Sequence, residues 1–314
     1  MVMANKVLGL HHITAIAGSA PRNYEFYTKL LGLRLVKKTV NFDDPETYHL
    51  YYGNETGSPG TILTFFPWAG IGPGHTGTGM ATEIGYSIPA DSIGFWKTRL
   101  ERAGINYEGP AERMNEKYLS FKDPDGLQIS LIVPTIKDER QPWQTDNISG
   151  DVATRGFHSV TLTLKDYKPT AAILISIFGY QLMKQEGNRY RFITDAVSHA
   201  NIVDIIEAPD ERPGHVAGGT NHHVAFQVQD DNVLMEFRDK ITRLGIHITP
   251  KIDRNYFFSL YFREPGGVLF ELASANPGFM VDEPVNELGT RLKLPPQYEP
   301  IREELEKILP SLAQ

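Results

Sequence analysis

"GINYEGPAERMNEKYLSFKDPDGLQIS", residues 104–130, has a second version further along the chain, "GIHITPKIDRNYFFSLYFREPGGVLFE", residues 245–271. Adding 141 to each number of the first overlays the second without a gap. Gly104 then meets Gly245, Arg113 meets Arg254, Phe121 meets Phe262, Pro124 meets Pro265 and Gly126 meets Gly267. Both read as alternating runs divided by a Pro/Gly turn, "DPDG" or "EPGG", the pattern of a β-hairpin. Ahead of each lies a segment with apolar residues at helical spacing, "SIGFWKTRLERAGI" and "NVLMEFRDKITRLGI", which sets Trp96 over Phe237 and Leu100 over Ile241. A repeat of this length implies one supersecondary unit used more than once.

The remaining quarters pair in the same way. "LHHITAIAGSAPRNYEFYTKLLGLRLVKK" (10–38) overlays "FHSVTLTLKDYKPTAAILISIFGYQLMKQ" (157–185) at an offset of 147, with Gly32 on Gly179, His11 on His158 and His12 on Ser159. Each quarter reads strand, helix, then several strands, so the expected class is α+β with four βαβββ modules. Their expected spans are 7–70 and 80–134, an N-terminal pair over 7–134, then 155–209 and 220–275, a C-terminal pair over 155–275. A polar linker, 135–154, divides the pairs, and 276–314 forms an extension in which "EPIREELEKILPSL" has the pattern of an amphipathic packing helix.

Bulk numbers narrow the function. With 41% hydrophobic and 22% charged residues, the 314-residue chain has the composition of a globular protein. A formal charge of −7 disfavours a nucleic-acid or anionic-membrane partner. The absence of cysteine excludes disulfides, thiolate metal sites and cysteine nucleophiles. "MVMANKVLGLHH" carries no apolar leader segment, and no run of eighteen apolar residues occurs, so a cytoplasmic location is expected. Glycine-rich Pro67–Gly79, "PWAGIGPGHTGTG", lacks the Lys-Ser/Thr ending of a phosphate loop and reads as a mobile linker or lid.

Two histidine doublets stand out, "LHHIT" at 10–14 and "NHHVAF" at 221–226. Strand alternation puts His222 with Val224, Phe226 and Val228, a side expected to face a helix, and His223 with Ala225, Gln227 and Gln229, expected to be concave. The same count selects His12 over His11. Glu271 interrupts "GGVLFELA", where a charge in a buried strand needs compensation from a cation or from Arg254 or Arg263.

Four such modules in one chain resemble the vicinal-oxygen-chelate superfamily, which includes glyoxalases, bleomycin-resistance proteins and extradiol dioxygenases. The resemblance spans about 7 to 275 and implies two sheets, each curled into a cupped half-barrel. It also implies a metal held by a first-strand ligand and a last-strand carboxylate. Those positions hold His12, Thr82 or Glu83, Ser159 and His223 on first strands, and Thr64, Ser130, Asp204 and Glu271 on last strands. The expected metal ligands are therefore His12, His223 and Glu271, a set that suits Fe2+ and also Mn2+. Zinc or nickel isomerases of the superfamily usually add a second glutamate, and none is evident.

"LHHIT", "RGFHS", "NHHVAF" and "DRNYFFSLYFREPGGVLFE" sharpen the resemblance to ring-cleaving dioxygenases of hydroquinones. It implies that the first and fourth modules build the iron site and that the second and third enclose an empty twin cavity. His11 and His222 would flank the metal, and Arg254 and Tyr261 would sit near substrate and oxygen. The expected function is an Fe2+-dependent, extradiol-type ring-cleaving dioxygenase acting on a small diphenol and O2, with homo-oligomerisation left open. The alternatives are a Zn2+- or Ni2+-dependent glyoxalase-like isomerase or lyase, and a metal-free protein that binds aromatic compounds.

Overall fold

The computed structural model describes residues 5–312; the first four, part of the stretch read for a leader, and the last two lie outside it. Module one comprises β1 (Leu10–Ala17), α1 (Ala20–Glu25), β2 (Arg34–Val40), β3 (Tyr48–Gly53) and β4 (Ile62–Pro67). Module two comprises β5 (Met80–Ser87), α2 (Ile93–Arg102), β6 (Tyr107–Arg113), β7 (Glu116–Lys122) and β8 (Gln128–Ile132). Module three comprises β9 (Phe157–Leu164), α3 (Lys168–Ser176), β10 (Gln181–Glu186), β11 (Arg189–Ile193) and β12 (Ile202–Glu207). Module four comprises β13 (Thr220–Gln227), α4 (Asp231–Arg243), β14 (Ile252–Asp253), β15 (Phe258–Arg263) and β16 (Leu269–Ala273).

Local chemistry accounts for the boundaries. Asp230 caps α4 by accepting from the backbone N–H of Asn232 and Val233. In "DPDG" the Asp123 carboxylate accepts from the N–H of Asp125, Gly126 and Leu127, and in "EPGG" Glu264 accepts from Gly266 and Val268. Gly126 and Gly267 adopt φ of +107° and +102°, a region open to glycine. The apolar stripes of α2 and α4 bury Trp96, Leu100, Phe237 and Ile241 in one core.

The strands form two eight-stranded sheets, ordered β14-β15-β16-β13-β1-β4-β3-β2 and β10-β11-β12-β9-β5-β8-β7-β6. Each is a curled half-barrel. The first quarter thus joins the fourth through antiparallel β1 and β13, and the second joins the third through β5 and β9. In the first seam the register shifts around His11 and around His222, and in the second around Thr82 and His158. Each of these four is a bulged residue just before a module's expected ligand position.

The linker read as a mobile lid is instead paired. Pro73, His75 and Thr78 bridge to Gly218, His215 and Pro213, in the equivalent linker between modules three and four. The C-terminal extension is strapped to β2, where buried Lys37 meets Asp282 at 2.6 Å and also Glu283. Its helix, α5, covers only Arg302–Ile308 and buries Leu305. Among the described residues, no helix is long and apolar enough to cross a membrane.

Candidate metal centre

The first seam brings the two ends of the sequence together. Its register sets Thr14 opposite His223 and His12 opposite Ala225, and β16 lies parallel to β13 with Glu271 beside Ala225. His12 Nε2 lies 3.1 Å and His223 Nε2 2.9 Å from Glu271 Oε2, with the two nitrogens 3.3 Å apart. Among the described residues, no other three His, Asp or Glu side chains converge in this way. The Ser259 hydroxyl donates to Glu271 Oε1, but Oε2, fully buried, receives no N–H or O–H aimed at it. A buried carboxylate oxygen left so is costly, and a cation is the partner that its surroundings fit.

The donor spacing supports the same reading. Donors about 2.1 Å from a common ion are about 3.0 Å apart at right angles and about 3.4 Å apart in a tetrahedron. Two of the three separations fall near the right-angled value and the third, 3.3 Å, near the tetrahedral one, so all three fit donors that share one ion. Burial alone would raise the Glu271 carboxyl, but His12 and His223 beside it outweigh burial and hold it well below the usual range. Arg254 and Arg263, the alternative partners, do not reach it: Arg254 Nε donates to the Tyr261 hydroxyl at 3.3 Å, and Arg263 to the Gly267 carbonyl.

The doublets divide their labour, though not by strand alternation. Side-chain parity places His222 on the helix side; the bulges at His11 and His222 break that alternation, and His222 lines the same cavity as His12 and His223. His11 Nδ1 lies 2.9 Å from His12 Nδ1, and His222 Nδ1 lies 2.8 Å from His223 Nδ1. With the shared N–H on Nδ1 of His12 and of His223, each Nε2 lone pair would be free for a cation. Burial, then the adjacent His12 and His223, lower His11 and His222 to about 3, so both flanking rings are neutral.

In front of the three donors lies a cavity of about 390 Å³. Phe42, Phe66, Trp68 and Phe257 give it aromatic walls, and Arg254 and Tyr261 line it on the β15 side. Arg254 lies over the rings of Phe42 and Tyr261, 5.7 and 5.3 Å from their centroids. The β3 side carries residues that the sequence reading did not single out. His49 Nε2 is 2.9 Å from Thr64 Oγ1, His49 Nδ1 is 2.9 Å from the Tyr51 hydroxyl, and Thr64 Oγ1 is 2.8 Å from Thr14 Oγ1. "HLYY" at 49–52 does place His49 and Tyr51 on one strand face, a signal hidden by the altered spacing of the first module.

Thr64 pairs with Thr14 on β1 as Glu271 pairs with Ala225 on β13, so Thr64 fills the fourth ligand position of this cup. It is a hydroxyl, already engaged by Thr14 and His49.

The second cup is not an empty twin. Its four equivalent positions hold Glu83, Ser159, Ser130 and Asp204, and arginines occupy the space between them. Arg113 pairs with Glu83, Arg189 reaches Asp204 at 3.1 Å, and Arg191 Nε donates to Asp204 at 2.8 Å. Arg191 also pairs with Glu116, which lies 3.0 Å from His158 Nε2. Fixed guanidinium groups neutralise these carboxylates, so the inner modules offer no vacant donor set.

Comparison with known proteins follows the same division into halves. The model of the Glyoxalase/Bleomycin resistance protein/Dioxygenase superfamily matches residues 9–131 and 156–272. The chain is 44% identical over 307 residues to a Bacillus subtilis protein that bears the assigned name of a ring-cleaving dioxygenase, MhqO, covering 97% of this chain and 96% of that one. It is 37% identical over 311 residues to the chlorohydroquinone/hydroquinone 1,2-dioxygenase of Sphingobium indicum, covering 97% of each. A solved structure of a Bacillus subtilis protein described as a dioxygenase superposes with a TM-score of 0.93 at 42% identity, over 98% of both chains.

Proposed function

This chain belongs to the Glyoxalase/Bleomycin resistance protein/Dioxygenase superfamily, and from that premise we propose that it is an Fe2+-dependent, extradiol-type ring-cleaving dioxygenase of hydroquinone-type diphenols. The observation that carries this reading is a donor set of three, His12, His223 and Glu271, whose fourth position is the engaged hydroxyl of Thr64. Two imidazoles and one carboxylate on one face leave neighbouring positions open for two ligands. An isomerase of this fold would use a second carboxylate where Thr64 stands.

Bound by these residues, Fe2+ would supply Lewis acidity and one-electron exchange between an electron-rich ring and dioxygen. The rest falls to the chain itself. Phe42, Phe66, Trp68 and Phe257 hold an aromatic ring and keep water from it. Arg254 keeps a fixed positive charge beside developing anionic oxygen, and Tyr261, raised by burial and by Glu271, remains a protonated donor there. His222, neutral and within the cavity wall, has its Nδ1 engaged by His223 and can donate its remaining N–H to a substrate oxygen. His11 orients His12 from behind.

The test is oxygen uptake by anaerobically iron-loaded protein given hydroquinone, methylhydroquinone or catechol, with metal analysis of the same sample. One O2 consumed per diphenol opened is expected. Stoichiometric Zn2+ or Ni2+ with no uptake on any diphenol would overturn the reading in favour of an isomerase. Ligand binding unchanged by chelators and by His223→Ala would point instead to a metal-free binding protein.

A further inference from the structure

The β3 wall of the cavity has a feature that metal binding does not use. Tyr51 lies opposite Thr64 in the β3–β4 ladder, as Tyr261 lies opposite Glu271 in the β15–β16 ladder. The cup therefore presents two phenols at equivalent places on its two halves. Tyr261 is tied to Arg254 on the metal's charged side. Tyr51 is tied to His49, in a chain of neutral groups that runs Thr14, Thr64, His49, Tyr51 and contains no carboxylate or guanidinium.

We propose that Tyr51, held by His49, binds the second hydroxyl of the diphenol and thereby selects 1,4-diphenols over 1,2-diphenols and monophenols; this rests on the dioxygenase reading above. A neutral imidazole has one donor and one acceptor, and both of His49's nitrogens are engaged, so the ring fixes the direction of the whole chain. The Tyr51 oxygen spends one of its hydrogen bonds on His49 and keeps capacity for another, and both residues line the cavity. His49 is clamped between Tyr51 and Phe66, at ring separations of 4.0 and 4.4 Å, which keeps the phenol in place. Phe257 spans the interval, 5.0 Å from the His12 ring and 6.5 Å from Tyr51, as a platform for a ring reaching from metal to Tyr51. A 1,4-diphenol has hydroxyls at opposite ends of the ring and meets both. Catechol and phenol leave Tyr51 facing no partner, the arrangement that rejects an analogue lacking a hydroxyl.

Anaerobic calorimetric titration of the iron-loaded protein with hydroquinone, catechol and phenol tests this. The wild type is expected to bind hydroquinone on the order of tenfold more tightly than phenol. Tyr51→Phe removes that preference while leaving phenol affinity within about twofold. His49 is a positioning residue: His49→Phe lowers the hydroquinone preference, and His49→Gln, which keeps a donor and an acceptor, restores part of it. An unchanged preference in Tyr51→Phe overturns the proposal, as does a parallel loss of hydroquinone and phenol affinity, which marks a structural role. A wild type that binds none of the three and consumes no O2 overturns the dioxygenase reading and this proposal with it.

Discussion

At Glu271 a single side chain sets β16 apart from β8, which carries Ser130 at the same position of the repeat. Glu271 Oε2 is buried between two imidazole nitrogens and lacks a hydrogen-bond donor. Glu271→Gln puts an amide where a cation needs an anion; metal content by elemental analysis is expected to fall at least 10²-fold at limiting metal, with the fold retained by circular dichroism. Tyr261 aligns with Ser120 of the metal-free cup, so the fold itself does not require a phenol there. Tyr261→Phe is expected to lower kcat on the order of 10–10²-fold with little change in KM or melting temperature, as fits a group acting in the transition state. His12, His223 and Glu271 stand out in the sequence because only the fourth module has both a histidine and a carboxylate at its two positions, and only the first supplies another histidine. His49 does not, since the loop between β2 and β3 shifts the first module out of register with the others.

At the scale of strands, the bulges decide most. One extra residue at His11 and one at His222 break the alternation of both strands, and His222 thereby joins His12 and His223 in the cavity wall, which alternation alone forbids. Deleting His222 should remove the bulge and with it metal binding, more completely than His222→Ala, which keeps the backbone; metal titration of the two variants distinguishes them. In the second cup, β7 is joined to β9 and β11 through Glu116. Burial raises this carboxyl, but His158 and then Arg191 overcome burial and hold it at about 2. A depressed carboxylate contributes stability above its unfolded value, lost as pH falls toward the folded one. The melting temperature of the wild type is therefore expected to drop between about pH 4.5 and 2 more steeply than that of Glu116→Gln. Asp123, raised by burial to about 6, carries the opposite sign: its contribution is present at low pH and lost as pH rises through about 6.

For the molecule as a whole, the outer modules share one sheet and the inner modules the other, so the site is built from β1, β13 and β16. The two halves of the chain, made separately and cut within 135–154, are expected to bind no stoichiometric iron, and mixing or co-expression should restore it; metal analysis after gel filtration is the check. The amino-acid sequence determined the repeat, the module order and the residue types that stand at the candidate ligand positions, because hydrophobic period, turn chemistry and residue type are local properties. The tertiary structure alone decided that His222 faces the cavity beside His12 and His223, that arginines pair with the carboxylates of the second cup, and that His49 and Tyr51 line the wall across from Tyr261. Those outcomes depend on bulge placement and on which strands lie side by side. Residues far apart in the chain set both, and no local pattern encodes them.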